Sequence, residues 1–183
     1  MGVSNIILGI DPGTNILGYA LINCTGANKI ELLTISVLRM DKIDNHPEKL
    51  KQIYTTISAL IQEYKPNVMS IEAPFYGKNV QSMLKLGRAQ GVAIAAAINS
   101  GIQIQEYSPK KIKQSITGNG NASKEQVSAM LQQLLNFNYT EKYLDATDAL
   151  AAAVCYHFQQ NTFSEKKSSS WKSFIDKNPH RKL

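Results

Sequence analysis

Four acidic residues, Asp11, Glu72, Asp145 and Asp148, stand where a fold can gather their carboxylates around a cation. Asp11 closes one apolar run, just before a Pro12-Gly13-Thr14-Asn15 turn, and Glu72 closes another. Asp145 and Asp148 are three residues apart, so at the start of a helix both project from one face. Carboxylates sharing a crevice repel one another unless cations intervene, and hard Mg²⁺ or Mn²⁺ prefers oxygen ligands completed by water and phosphate. Taken together, the acids read as a two-metal phosphodiesterase centre. Singly, each has an ordinary reading: Asp11 as a turn former, Glu72 as a solvated strand end, Asp145 as a helix cap, Asp148 as a first-turn acid favoured by the helix dipole. Only their joint placement carries the chemistry.

The elements that must position them follow from periodicity. Residues 5–10 and 18–23 read as a hairpin about the Pro12-Gly13 turn, and residues 30–38, rich in β-branched side chains, continue the meander. From Pro47 the apolar positions Leu50, Ile53, Ile57, Leu60 and Ile61 recur at helical steps. A strand over 67–72 follows, then a loop over 73–79, a long helix over 80–99 and a fifth strand over 102–107. Ser108-Pro109 starts a short helix, Ser123 and Gln126 have capping-box spacing before a helix to Leu135, and a last helix spans 145–158. A right-handed crossover through the Pro47 helix lays the fourth strand parallel to the first. Asp11 and Glu72 then end neighbouring strands at the carboxyl edge of an α/β sheet, where such folds place their sites.

At 183 residues and 43% hydrophobic composition the chain can bury one substantial core. The expected organisation is a domain over 1–160 and a mobile Ser- and Lys-rich basic tail over 161–183, in which Trp171 and Phe174 stand isolated among charges. Twenty Lys and Arg against 14 Asp and Glu give a formal charge of +6, compatible with a polyanionic partner or simply with a basic solubility surface. Cys24 and Cys155 have no Cys-x-x-Cys spacing, so neither a disulfide framework nor a zinc site is indicated, and a cytoplasmic location is expected. The most apolar stretch, 91–98, is far too short for a bilayer span, and no export signal is read at the N-terminus. His46, His157 and His180 form no ligand cluster.

The blocks Gly9-Ile10-Asp11-Pro12-Gly13-Thr14, Ile71-Glu72, Ala89-Gln90-Gly91-Val92-Ala93 and Asp145-Ala146-Thr147-Asp148-Ala149-Leu150-Ala151, in that order, resemble the RuvC family of bacterial Holliday-junction resolvases. The resemblance covers residues 5–158 and leaves out the tail. It implies a ribonuclease-H-like fold with a five-stranded mixed sheet flanked by helices, and a homodimer that nicks four-way DNA junctions symmetrically. It also implies dependence on Mg²⁺, with two ions per site and Mn²⁺ as a substitute, and partnership with the RuvA and RuvB branch-migration complex. The family's metal-binding acids fall on Asp11, Glu72, Asp145 and Asp148. Its loop aromatic falls on Phe75, followed here by Tyr76, and an aromatic beside the site can stack on an unpaired base or wedge into a junction. Family positions that approach DNA fall on Lys113 and Lys124; Lys78, Arg88, Lys110 and Lys111 extend that surface, where phosphate contact needs charge more than base-specific geometry.

A stripe of small residues, Gly87, Gly91 and Ala95, runs along the long helix and permits close approach, either to the sheet or to a second subunit. Two other functions remain open to the residues. One is an ATP-binding protein of the actin and sugar-kinase type, whose opening strand also leads into an Asp-x-Gly turn. The other is a junction-binding module that does not cut.

Overall fold

The computed structural model describes residues 4–26, 29–74, 79–137 and 144–168, with side chains as far as residue 160. Five strands form one mixed sheet in the order β3-β2-β1-β4-β5, with β1 Ser4–Asp11, β2 Ile16–Thr25, β3 Ile30–Arg39, β4 Val68–Glu72 and β5 Gln103–Tyr107. β1, β2 and β3 pair antiparallel, while β4 lies parallel to both β1 and β5, as the crossover argument requires. The five helices are α1 His46–Tyr64, α2 Val80–Asn99, α3 Pro109–Thr117, α4 Lys124–Leu135 and α5 Leu144–Ser168.

Strand alternation divides the core into two layers. Ile7 of β1 and Val68 of β4 face one side, with Ala20 and Ile22 of β2, against α3, α4 and α5. Leu8, Ile10, Met69 and Ile71 face the other, against α1 and α2. Because side chains repeat every second residue along a strand, Asp11 falls on the face of Ile7 and Glu72 on the face of Val68. Both acids are thus directed to the side on which α5 packs.

Helix α5 is buried from Ala146 through Cys155 except where its Asp148 carboxylate reaches the site. Its alanines let the helix backbone approach the sheet, and two strand glycines complete the fit. A Cβ on Gly9 would lie 2.0 Å from the Ala149 carbonyl oxygen, and one on Gly18 would lie 2.0 Å from that of Asp145. Ser70, fully buried on β4, donates a hydrogen bond of 2.6 Å to the Ala152 carbonyl. The helix also extends to Ser168, beyond the end at residue 158 expected from the change in composition.

The expected caps form: Ser108 accepts from the Lys111 amide, and Ser123 and Gln126 make both bonds of a capping box at the start of α4. Cys24 and Cys155 are buried free thiols in the same core layer. No described helix is long and apolar enough to cross a membrane.

Ser70→Ala should lower unfolding stability by about 1 kcal/mol, the usual net worth of one hydrogen bond. Gly18→Ala should cost more, because the added methyl meets backbone that cannot rotate away. Urea denaturation of the two variants checks the order; a harmless Gly18→Ala would mean that α5 does not need its close approach.

Candidate metal centre and its relatives

Three separate elements bring the acids together. Asp11 ends β1, Asp145 lies inside the first turn of α5 rather than at its cap, and Asp148 follows one turn later. One carboxylate oxygen from each of Asp11, Asp145 and Asp148 lies within 4.8 Å of the other two. Gly18 is the cross-strand partner of Asp11, and the Asp145 carbonyl rests on Gly18, so one backbone contact fixes the helix acids relative to the strand acid. Glu72, at the end of the adjacent parallel strand, stands outside that compact trio but within its field. The donor set is entirely hard oxygen, half-buried and convergent, and it suits a divalent cation.

Electrostatics record the crowding. Burial, then the charges of Glu72 and Asp148, push the Asp11 carboxyl well above the usual carboxylate range. Burial, then the charge of Asp148, pushes Glu72 from 4.5 up to about 7. Asp148 is raised as well, burial outweighing its hydrogen bond from Lys124. The Lys124 ammonium bonds directly to Asp148 and lies 3.8 Å from an Asp145 oxygen. Burial opposes the charge on Lys124, but its bond to Asp148 and the surrounding acids prevail and raise its pKa.

Lys124 was expected on a DNA-facing surface; in the structure its ammonium sits among the acids and balances part of their charge. Lys113, half-buried on α3, also acts on Glu72 and Asp148. Lys110, Lys111 and Arg88 are exposed; Lys111 lies near enough to Cys155 to act on its thiol. Phe75, Tyr76 and Lys78 lie outside the described residues.

Sequence reasoning passed over Gln90 and Gly18 as site residues. Gln90, buried on α2, donates to the Glu106 carboxylate at 2.9 Å and to the Glu72 backbone carbonyl at 3.4 Å, tying α2 to the end of β4. Its signal was a polar residue on an otherwise apolar helix face; that of Gly18 was a glycine within a strand, which often marks close backbone approach. The stripe on α2 does not pack on the sheet. Among the described residues, Cβ atoms on Gly87 and Gly91 would meet nothing within 4 Å.

A pH prediction follows for the metal-free chain. Below its ordinary pKa of 4.5, Glu72 is protonated in both folded and unfolded states and does not affect stability. Between 4.5 and about 7 the folded chain keeps a proton that the unfolded chain releases, so stability falls as pH rises through that window and then levels off. Glu72→Gln should flatten this decline and melt higher than the parent at neutral pH. Thermal melts in chelator over roughly pH 4 to 8 test it. An unchanged decline would mean that Glu72 does not share the cluster's charge.

Known proteins share both this sheet and this chain's sequence. The family description "Crossover junction endodeoxyribonuclease RuvC" matches residues 7–156. Proteins called crossover junction endodeoxyribonuclease RuvC are 55% identical in Cytophaga hutchinsonii, over 98% of this chain and 88% of that protein, and 52% identical in Porphyromonas gingivalis, over 96% of each. The structure of Thermus thermophilus RuvC in complex with Holliday junction substrate superposes with a TM-score of 0.80 at 27% identity, covering 86% of this chain and 96% of that one. The yeast mitochondrial Holliday junction resolvase Ydc2 shares the fold, with a TM-score of 0.63 at 16% identity over 87% and 82% of the two chains. The architecture is ribonuclease-H-like, and the chain belongs to the RuvC family of crossover junction endodeoxyribonucleases.

Proposed function

We propose that the chain is a Mg²⁺-dependent endonuclease that resolves four-way DNA junctions by paired symmetric nicks, leaving a 5′ phosphate and a 3′ hydroxyl. The observation that carries the reading is the convergence of Asp11, Asp145 and Asp148 within 4.8 Å, with Glu72 beside them, in a chain of this family. Asp11, Glu72, Asp145 and Asp148 would hold divalent metal, two ions per site with Mn²⁺ as a substitute, which would supply an activated water and stabilisation of the leaving 3′ oxygen. Asp11 sits centrally among the ligands, Asp145 and Asp148 close the helix side, and Glu72 closes the β4 side. Because the pKa values of the Asp11, Glu72 and Asp148 carboxyls are raised, protons compete with a cation for the cluster, and cation binding should strengthen as pH rises. Lys124 offsets part of the charge of Asp148 and Asp145 and serves as a phosphate contact at the edge of the site.

Phe75 and Tyr76 serve to stack on or wedge open the junction, and Lys78, Arg88, Lys110, Lys111 and Lys113 serve as phosphate contacts around it. The catalytic domain spans residues 1–160, with α5 continuing from it to Ser168, and the basic segment over 161–183 contributes none of the four acids. A non-cleaving junction binder is the weaker reading, because acids gathered at a phosphate-binding surface reduce affinity unless cations offset them. The ATP-binding reading loses its ground in the family assignment.

Paired nicking needs two sites, and α2 offers the surface for a homodimer. Val80, Leu84 and Ile98 are exposed at 65%, 54% and 63%, in line with the open Gly87 and Gly91. Small residues between apolar ones let a second helix approach closely. The enzyme acts in the cytoplasm with the RuvA and RuvB branch-migration complex.

Labelled four-way junction and linear duplex, incubated with and without Mg²⁺, test the activity. Nicking should be confined to the junction, need the metal, and vanish in Asp11→Asn while junction binding persists. Junction binding without nicking in the parent chain would establish the non-cleaving alternative. Gly91→Arg should leave the melting temperature of the protomer nearly unchanged and convert dimer to monomer in sedimentation, since a Cβ there meets nothing within 4 Å among the described residues. A dimer that survives it would have another interface.

A further inference from the structure

A cavity of about 250 Å³ opens beside the turn that follows Asp11. Thr14 and Asn15 contribute from the β1–β2 turn, Asp44, His46 and Lys49 from the entry to α1, and Ser82 and Lys85 from the first turns of α2. Its lining is rich in donors. The Lys49 ammonium donates to the Asn15 side-chain oxygen at 2.7 Å, a neutral partner that leaves its charge uncompensated. Among the described residues, neither Lys49 nor Lys85 is ion-paired. His46 Nε2 is shielded from solvent and has no hydrogen-bond partner among the described residues. The N-cap of α1, Asn45, makes no side-chain cap bond, so the positive end of this 19-residue helix is left open at the same place.

Two ammonium groups against the single carboxylate of Asp44 leave one net positive charge when His46 is neutral. That balance suits a monoanionic phosphodiester, which offers acceptor oxygens and no donor, better than a dianionic terminal phosphate. Position favours the same ligand. Thr14 is three residues beyond Asp11, a span of at most about 11 Å, and phosphates along one strand of a duplex advance about 3.4 Å per nucleotide along the axis. The acids face the α5 side of the sheet and the cavity opens on the side of α1 and α2, so a strand that crosses the sheet edge at the β1–β2 turn would bring a neighbouring phosphate to it.

We propose that this cavity is a backbone-phosphate subsite, in which Lys49 and Lys85, with the hydroxyls of Thr14 and Ser82, anchor a phosphodiester near the one being cut. The subsite rests on the nuclease reading and adds to it a fixed point for the strand, set by residues outside the acid cluster. Anchoring at two points along one strand resists sliding of the scissile phosphate away from the acids.

The test is the salt dependence of junction binding, measured without divalent metal for the parent chain, Lys49→Ala, Lys85→Ala and the double variant. Lys51→Ala, an exposed lysine on α1 paired with Glu48, controls for charge in general. Each cavity variant should reduce the slope of log Kd against log salt by about 0.9, the double variant by about twice that. Lys51→Ala should leave the slope unchanged, and Lys49→Arg and Lys85→Arg should restore it. Lys85 is exposed and without a described partner, so its replacement does not threaten folding. Unchanged slopes in both cavity variants, in a parent that binds and nicks junctions, would overturn the subsite alone. An equal fall with Lys51→Ala would overturn it as well, as would stabilisation by inorganic phosphate that the double variant loses while its junction slope stays normal. A parent chain that binds no junction would overturn the nuclease reading and the subsite together.

Discussion

The site depends on the closeness of α5 to the sheet. Its backbone carbonyls at Asp145 and Ala149 occupy the space that side chains on Gly18 and Gly9 would fill, and Ala146, Ala149 and Ala153 keep the helix face equally thin. Since Gly18 pairs with Asp11 across the β1–β2 ladder, the contact that seats the helix also sets the separation between strand acid and helix acids. Ser70 does the same for β4, gripping α5 two residues before Glu72. Bulkier residues at these points would give an equally apolar core and a wider, useless gap between the carboxylates. Packing here is a means of measuring distance.

Against that packing works the repulsion of the acids it assembles. Burial and mutual charge raise three of the carboxyls, a conflict typical of sites in which groups are arranged for chemistry rather than for stability. Lys124 tempers it. The capping box of Ser123 and Gln126 fixes the start of α4, and Lys124, the first residue of that helix, is thereby held where its ammonium reaches Asp148 and Asp145. A local rule of helix initiation thus has an electrostatic effect on residues more than twenty positions away.

Much of this was legible in the sequence because the strongest signals were local. The apolar run over residues 5–10, the three- and four-residue steps after Pro47 and the serine caps each name an element, and the crossover rule then makes Asp11 and Glu72 neighbours. Three things were less legible. The reach of Lys124 into the acid cluster depends on how α4 lies on α5, which no sequence period encodes. Sheet and partner surfaces both accept small residues, so the sequence did not show that Gly87 and Gly91 lie off the sheet. The continuation of α5 to Ser168 runs through Ser and Lys, whose composition argues for a tail, whereas a helix already nucleated and docked propagates at little cost.

The acids come from opposite ends of the described chain, with Asp11 on the first strand and Asp145 and Asp148 on the last helix. During synthesis, a ribosome-bound chain can form the β1–β2 hairpin, and later the crossover to β4, long before α5 emerges. Such a partial molecule would have no trio of carboxylates to hold a cation. The trio is completed in one step, with the docking of α5, and is lost in one step when that helix detaches. The order of elements along the chain therefore makes the acid trio a property of the finished fold alone.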